Sequence, residues 1–235
     1  DINGTGAEVT AAFAAIDTNT GNATANVTGN DYTVAHLKAI NAATTGAIVL
    51  ANAGVALSGD ATDIAAAFAG TVTTHTGTVA VTNASNYTVA ELVAINAGTT
   101  GNITLNDATV ALSGTVADLK AALAGTITTN TGAVTISDGG GVDITATDIT
   151  TINTAATGAI TVSNAIDING SGAQVAAAFA AIDTNTGNAT ANITGTDYTV
   201  AQLKAINADT TGAIVLATTT AALSGTVADL TAAFA

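Results

Sequence analysis

The sequence contains no cysteine, proline, methionine or tryptophan, and its aromatic residues make up only 3%. Without cysteine no disulfide framework can form, and without proline the chain is neither collagen-like nor a proline-rich linker. The core must therefore be built from Ile, Val, Leu and Ala. Apolar runs all stay below the roughly 18 residues that a membrane-spanning helix needs, so we expect no membrane insertion.

Positive charge is also scarce. Three lysines and no arginine stand against 17 acidic residues, which gives a formal net charge of −14. Such a chain repels nucleic-acid phosphates and anionic membrane surfaces, so we expect it to bind neither. The abundance of Ala, Thr, Asn and Gly is typical of large secreted bacterial proteins, and we expect an extracellular or cell-surface location.

Internal repetition dominates what is present. The stretch YTVAHLKAINAATTGAIVL at 32–50 recurs with few changes at 87–105 and 198–216. A Thr-Gly pair precedes each predicted strand, and these pairs are about 27 residues apart on average, which lies within the range of solenoid repeats. The pairs end at Gly21, Gly46, Gly77, Gly101, Gly132, Gly158, Gly187 and Gly212. We call the stretch of about 27 residues between successive pairs a coil.

A longer period is superimposed on the coils. Residues 1–69 match residues 167–235 at 53 of 69 positions without a gap, an offset of 166 residues or six coils. We therefore interpret residues 1–235 as a single repeat array, and we expect it to be a segment of a longer protein.

Each coil contains a helix signal. Thr followed three residues later by an acid forms a capping box, as at Thr88 and Glu91, and apolar residues follow at helical spacing, as in Val34, Leu37 and Ile40. The same box is predicted at Thr115/Asp118, Thr145/Asp148 and Thr226/Asp229. Helices of two to three turns are unstable alone, so they must pack on a neighbour.

A strand signal follows each Thr-Gly pair. Apolar residues alternate with others, as in Ile48 and Leu50, so the intervening residues should face outward. Those outward positions are Val49, Ala80, Thr104, Thr135, Thr161 and Val215. Every second coil adds another short strand ending in Leu-Ser-Gly, at 55–59 and 110–114.

These patterns predict a β/α repeat solenoid of about eight coils, in which a parallel β-ladder carries short capped helices. The alternative is an all-β solenoid in which segments such as TVAELVAINA are extended corners; their Ala-rich capping boxes favour the helical interpretation. The open ends of a solenoid favour end-to-end stacking on neighbouring copies or adjoining repeats.

Catalytic chemistry finds little support in the sequence. We interpret His36 as an exposed residue at the third helical position, and His75 lies in a Thr-rich turn where a related coil carries Asn130. Nucleophile-elbow, zinc-protease and phosphate-loop motifs are absent. We expect no enzyme activity and no cofactor other than a possible calcium ion.

Calcium is considered because several clusters are rich in oxygen ligands. The candidate residues are Asp1, Asn3, Asp138, Asp143, Asp167 and Asn169. The acids at helix starts would also form a column if the coils stack, although helix capping accounts for them more simply. These acids are Glu8, Asp63, Glu91, Asp118, Asp148 and Asp229. No cluster matches an EF-hand loop.

The segments VALSGTVADLKAALAG at 110–125 and YTVAQLKAINADTTGAIVL at 198–216 resemble the repeat arrays of giant bacterial surface proteins. These include haemolysin-like S-layer proteins and long adhesins of cyanobacteria and other Gram-negative bacteria. The resemblance implies export and a role in a coat, filament or adhesive stalk. The GGxGxD calcium motif of many such proteins is missing, so no functional residues are carried over.

The sequence thus favours an extracellular structural segment of a surface layer, filament or adhesin stalk. The alternative is a surface binding module for carbohydrate, protein or calcium. Ice binding is a further alternative, but the outward strand positions mix Val, Ala, Asn and Thr and so break a regular threonine array.

Overall fold

The computed structural model describes residues 1–19 and 22–235, so the first Thr-Gly pair, at residues 20–21, lies outside the described residues. The chain divides into two compact units. The first comprises Asp1–Val110 and Ala121–Thr129, and the second comprises Ala111–Lys120 and Asn130–Ala235. Across the described residues the fold is α/β, with nine helices and four short sheets in which every strand pair is parallel.

The first unit contains two three-stranded sheets and four complete helices. Its strands are β1 (Ile2–Gly4), β2 (Ala25–Val27), β3 (Ile48–Leu50), β4 (Leu57–Gly59), β5 (Val79–Val81) and β6 (Ile103–Leu105). Its helices are α1 (Gly6–Ala14), α2 (Val34–Ala43), α3 (Ala61–Phe68) and α4 (Val89–Gly98). The sheet orders are β1-β2-β3 and β4-β5-β6, and each helix contacts the next one along the chain.

The second unit contains two four-stranded sheets. Its strands are β7 (Leu112–Gly114), β8 (Val134–Ile136), β9 (Asp143–Thr145), β10 (Ile160–Val162), β11 (Asp167–Gly170), β12 (Thr184–Asn185), β13 (Thr190–Ile193) and β14 (Ile214–Leu216). Its helices are α5 (Val116–Ala122, whose last two residues group with the first unit), α6 (Ala146–Ala155), α7 (Gly172–Ala180), α8 (Val200–Asp209) and α9 (Val227–Ala233). The sheet orders are β7-β8-β10-β12 and β9-β11-β13-β14.

The helix starts follow the predicted capping chemistry except at α3 and α6, whose N-cap residues Asp60 and Thr145 make no side-chain cap hydrogen bond. Thr88 accepts a hydrogen bond from the Glu91 amide, and the Glu91 carboxylate accepts one from the Thr88 amide. The all-β alternative is therefore wrong, because TVAELVAINA forms α4 and its cap. The cap predicted at Thr145 is also wrong. Its side chain makes no cap hydrogen bond, and its hydroxyl lies 3.3 Å from that of Thr147.

The alternation of the strands is confirmed in part, since three of the six predicted outward positions, Ala80, Thr135 and Thr161, are half-buried. Ile48 and Leu50 are buried while Val49 is exposed, and the outward positions Thr104 and Val215 are exposed as well. Helical residues at the predicted spacing, such as Leu37 and Ile40, meet these strands in a core of Ile, Val, Leu and Ala. Alternation on the strands and the 3.6-residue period on the helices thus place the apolar side chains on facing surfaces.

Strand pairing follows a shorter step than the 27-residue coil. Register partners lie 22 to 26 residues apart, as between Ile2 and Ala25 and between Leu57 and Val79. The two 31-residue coils each carry an extra Leu-Ser-Gly strand, β4 and β7, and each of these strands lies at the edge of a separate sheet. Among the helices of the described residues, none is long and apolar enough to cross a bilayer.

Candidate functional site

Contacts between successive coils use the chain's cationic side chains. All three lysines form ion pairs with an aspartate at the start of the next helix. Lys120 Nζ lies 2.5 Å from Asp148 Oδ1, and Lys204 Nζ lies 2.7 Å from Asp229 Oδ1. Lys38 pairs with Asp63 in the same way. Hydrogen bonds from Lys204 and Thr226 hold the pKa of Asp229 below its usual value, so this carboxylate stays charged.

Asparagine side chains from one helix cap the end of the next. The Asn96 amide donates to the carbonyls of Ala121 and Ala124, at 2.8 and 2.7 Å. Asn207 donates to Ala232 and Ala235 at 3.1 and 3.3 Å, and Asn41 does the same to Ala66 and Ala69. The last carbonyls of a helix lack partners within that helix, so these bonds satisfy them from the neighbouring coil.

All three tyrosines are buried and reach forward along the chain. The hydroxyls of Tyr32, Tyr87 and Tyr198 donate to the carbonyls of Asn52, Asp107 and Thr218, each 20 residues further on, at 2.6 to 2.7 Å. Burial, together with the negative charge of Asp107, raises the pKa of Tyr87 to about 12, so the hydroxyl remains a donor. Tyrosine therefore fastens each Tyr-Thr-Val-Ala helix entry to the following loop.

The Thr-Gly pairs mark the places where coil backbones come closest. A Cβ atom on Gly101 would lie 1.8 Å from the Gly77 carbonyl oxygen, and one on Gly158 would lie 1.9 Å from the Gly132 oxygen. Real Cβ atoms essentially never approach so closely. A Cβ on Gly46, Gly77, Gly187 or Gly212 would lie 2.1 to 2.5 Å from backbone atoms of another loop. The regular phase of these pairs therefore reflects coil-to-coil backbone contact.

Polar side chains are buried at the position two residues before five of these glycines. They are Thr44, His75, Thr99, Asn130 and Thr210. The Thr99 hydroxyl donates to the His75 carbonyl at 3.0 Å and accepts from the Gly101 amide at 2.9 Å. Hydrogen bonds from these side chains satisfy backbone groups in the loops, whereas Asn130 Oδ1 is buried without a partner.

His75 is one of these buried residues and has no solvent-exposed surface. Its Nε2 lies 2.7 Å from the Val55 carbonyl oxygen, its Nδ1 lies 3.3 Å from the Thr99 hydroxyl, and its ring centroid lies 5.6 Å from that of Phe68. Burial lowers the pKa of His75, against the opposing effect of the Val55 carbonyl. The neutral ring thus acts as a packing and hydrogen-bonding residue.

His36 lies at the third position of α2, as expected, and its backbone amide donates to Thr33 Oγ1 at 3.3 Å. The expectation that it is exposed is wrong. The residue is half-buried, and its Nδ1 is buried without a hydrogen-bond partner. A Cβ on Gly6 would lie 2.9 Å from that nitrogen, which shows how closely α1 approaches. Packing of α1 on α2 therefore covers the ring.

The calcium candidates fall into three separate places. Asp1 and Asn3 lie at the start of the first unit, where Asn3 Oδ1 accepts from Asn26 at 2.7 Å. Asp138 is buried in the second unit, and its carboxylate accepts from the Val116 amide at 2.8 Å. The remaining three candidates, Asp143, Asp167 and Asn169, come together in the second unit.

Asp143, Asp167 and Asn169 lie on adjacent strands, with Asp143 and Asp167 directly in register. The Asn169 amide donates to Asp143 Oδ1 at 3.0 Å and to the Asp167 carbonyl at 2.9 Å. Calcium takes six to eight oxygen ligands, and here an amide hydrogen occupies one carboxylate oxygen. Within residues 1–19 and 22–235, no group of three or more His, Asp or Glu side chains is placed to hold a metal ion.

The six acids at helix starts are all engaged by the chain itself. Glu91 accepts from the Thr88 amide at 2.8 Å and from the Thr62 hydroxyl of the preceding helix at 2.5 Å. Burial acts to raise the pKa of Glu91, but these hydrogen bonds lower it overall. Glu8 and Asp118 bind their own cap threonines, and Asp63, Asp148 and Asp229 pair with lysines.

The chain matches no protein-family model and no curated protein sequence. What this chain does must therefore be argued from its own contacts. Sequence reasoning identified the glycine phase and the helix-start acids but missed the partners of Lys, Asn and Tyr. Their constant place within each repeated segment was a signal, because a side chain repeated with its coil can meet the same partner in every coil.

Proposed function

We propose that this chain is an extracellular structural repeat segment, in which coils stack as a β/α solenoid within a bacterial surface layer, filament or adhesin stalk. The observation that carries the proposal is the recurrence of one set of coil-to-coil contacts. Lys-to-Asp, Asn-to-carbonyl and Tyr-to-carbonyl contacts recur at corresponding positions in different coils. Such nearest-neighbour contacts are what stabilise a repeat array.

The distribution of reactive groups supports the same proposal. His75 and the three tyrosines are buried and hydrogen-bonded, and the three lysines are paired with acids. These histidine, tyrosine and lysine side chains thus make contacts between successive coils. We propose that the protein acts without catalysis and that its partners are adjoining repeats or neighbouring copies of itself.

The 166-residue period provides a direct test of the solenoid. Residue 166 is followed by a copy of residue 1, so a longer chain made of residues 1–166 followed by 1–235 has a native-like junction. Each added period of six coils should lengthen the particle by about 30 to 60 Å, because strands repeat every 4.8 Å and helices every 8–10 Å. Small-angle X-ray scattering of chains with one, two and three periods measures this increment, and a maximum dimension that grows only as the cube root of mass would contradict the solenoid.

The surface role needs a separate test on native material. An antibody raised against the chain should label the outside of intact source cells, in a layer or along filaments visible by electron microscopy. Permeabilised cells stained in parallel provide the control for internal antigen. Label found only after permeabilisation would overturn the proposed location.

A further inference from the structure

The nine-residue sequence ALSGTVADL occurs twice in the chain, at 111–119 and at 222–230. In the first copy, Leu112–Gly114 forms β7, and Val116 at the start of α5 is 3% exposed. In the second copy, residues 223–225 form no strand, and Val227 is 82% exposed. The two copies have the same sequence, so their different structure and exposure reflect the chain segments that pack on them.

The same contrast extends to the strand and helix around the second copy. Phe234 is 61% exposed, whereas its equivalent in the first unit, Phe68, is 7% exposed. Ile214 and Leu216 of β14 are half-buried, whereas Ile48 and Leu50 of β3 are buried. An open groove of about 270 Å³ runs between Leu203, Leu216 and Phe234. We call β14, residues 223–225 and α9 the terminal surface.

The first unit shows what covers the equivalent surface. Residues 70–81 follow α3 and lie across β3 and β4. The Ile48 amide donates to the Thr71 carbonyl at 2.7 Å, and the Thr73 amide donates to the Ile48 carbonyl at 2.9 Å. Val79–Val81 then pairs in parallel with Leu57–Gly59, and the His75 ring packs against Phe68.

A second, independent example has the same sequence character. Val134–Ile136 pairs with Leu112–Gly114 in the second unit, as Val79–Val81 pairs with Leu57–Gly59 in the first. The covering segments read GTVTTHTGTVAV at 70–81 and GTITTNTGAVTI at 125–136. Both follow Gly-Thr-Val/Ile-Thr-Thr-His/Asn-Thr-Gly-x-Val-x-Val/Ile, and we call this pattern the covering segment.

We propose that the terminal surface is a docking site for one further coil that begins with a covering segment. This inference deepens the proposed function, on which it rests, by naming the partner and its register. The Val/Ile at the third position adds beside Ile214 at the free edge of β14. The Val-x-Val/Ile at the end of the covering segment pairs in parallel with residues 223–225 and turns them into a strand. Its His or Asn lies against Phe234.

A single thiol can report on this docking, because the chain contains no cysteine. The Val227→Cys variant is made in the parent chain and in a chain extended after Ala235 by a copy of residues 70–110. Val227 is exposed, so the substitution should leave the fold intact. We expect the thiol of the extended chain to react with a maleimide at about one tenth of the parent rate or below, because a stable contact protects it.

Two controls and a second readout accompany the measurement. Val116→Cys in the parent chain gives the rate for a covered thiol at the same position of the same nine-residue sequence. An extension of identical composition but scrambled order tests whether any added chain is enough. Amide hydrogen exchange at Leu223 is the second readout, because the equivalent Leu57 amide donates to the Thr78 carbonyl at 2.9 Å and is expected to become protected.

Slow labelling together with Leu223 protection, seen only with the ordered extension, supports the proposal. Equal rates in parent and extended chains, or equal protection by the scrambled extension, overturn it. A parent chain that labels slowly and speeds up on dilution also overturns it, because a second copy would then be the occupant. The cell-surface test above does not involve this reporter, so either proposal can fail while the other stands.

Discussion

At the scale of single residues, close backbone contact explains the most regular feature of the chain. The glycine of each described Thr-Gly pair, from Gly46 to Gly212, is a position of contact between coils rather than a flexible link. Gly158 illustrates this, since its missing Cβ leaves room for the carbonyl of Gly132. Buried polar residues two positions earlier, such as Thr99, then satisfy the backbone groups of the stacked loops.

The Gly158→Ala substitution should be strongly destabilising. Its Cβ would lie 1.9 Å from backbone, which cannot move without separating the coils, so we expect a loss of about 3 kcal/mol or more in the free energy of unfolding. Gly139→Ala is the matched control, because its Cβ would meet only Val142 at 3.9 Å. Urea unfolding monitored by circular dichroism compares the two, and equal losses would contradict this account.

His75 should make the protein less stable as the pH falls below 6.5. Burial lowers the pKa of the His75 ring in the folded state, so the unfolded state binds a proton more readily. The stability of the fold is therefore unaffected above the unfolded-state pKa of about 6.5 and falls as the pH drops below it, with a limiting slope of about 1.4 kcal/mol per pH unit. His75→Asn, which places the residue found at Asn130, should flatten stability between about pH 7.5 and pH 5.

The control for this effect is Asn102→Gln, which changes an exposed side chain and involves no titratable group. Urea midpoints measured across the same pH range should keep the slope of the parent chain. A His75→Asn variant that loses as much stability on acidification as the parent would show that another group is responsible.

At the scale of elements, helices are capped in two ways. Starts such as that of α4 are capped locally, by Thr88 and Glu91, while the ends of α3, α5 and α9 are capped by an asparagine of the preceding helix, as by Asn96. The first kind of cap is readable from residues three apart. The second depends on residues 25 and 28 positions apart, and only stacking brings them together.

Replacing Asn96 with Asp should weaken the end of α5. The substitution keeps the shape but removes the amide donors and places negative charge beside helix carbonyls, so we expect a loss of about 1 to 3 kcal/mol. Asn102→Asp adds the same charge at an exposed side chain and should change stability by less than about 0.5 kcal/mol. Urea unfolding of the two variants in one buffer gives the comparison, and similar losses would argue for general charge repulsion.

At the scale of the whole molecule, excess negative charge opposes the compact state. The net charge is −14, while the three ion pairs are partly exposed and worth about 0.2–1 kcal/mol each. Added salt should therefore weaken the repulsion among the acidic residues by more than it weakens the attraction within the ion pairs. We expect the urea midpoint to rise when sodium chloride is added, and a fall would mean that the ion pairs dominate.

Calcium should stabilise the protein no more than magnesium at equal ionic strength. The clustered candidates Asp143, Asp167 and Asn169 offer few free oxygens, and the Asn169 amide donates to Asp143. Thermal unfolding in the two salts measures the difference. A calcium-specific rise in the unfolding temperature that Asp143→Asn abolishes would reverse this expectation and locate a calcium site at that sheet edge.

Much of this protein is determined by its sequence alone. Alternating Ile and Val, Ala-rich stretches behind capping threonines, and recurring Thr-Gly pairs predict the helices and the strands that follow these pairs, because these signals act within one coil. They do not predict the strands at Ile2–Gly4, Asp143–Thr145 and Asp167–Gly170, whose polar residues are instead interpreted as calcium ligands. The tertiary structure alone decides which strand joins which sheet and which carbonyl an asparagine or tyrosine reaches. The nine-residue sequence ALSGTVADL makes the difference plain. It contains a strand at Leu112–Gly114, where β8 supplies hydrogen bonds, and none at 223–225, because a β-strand exists only where a neighbour pairs with it.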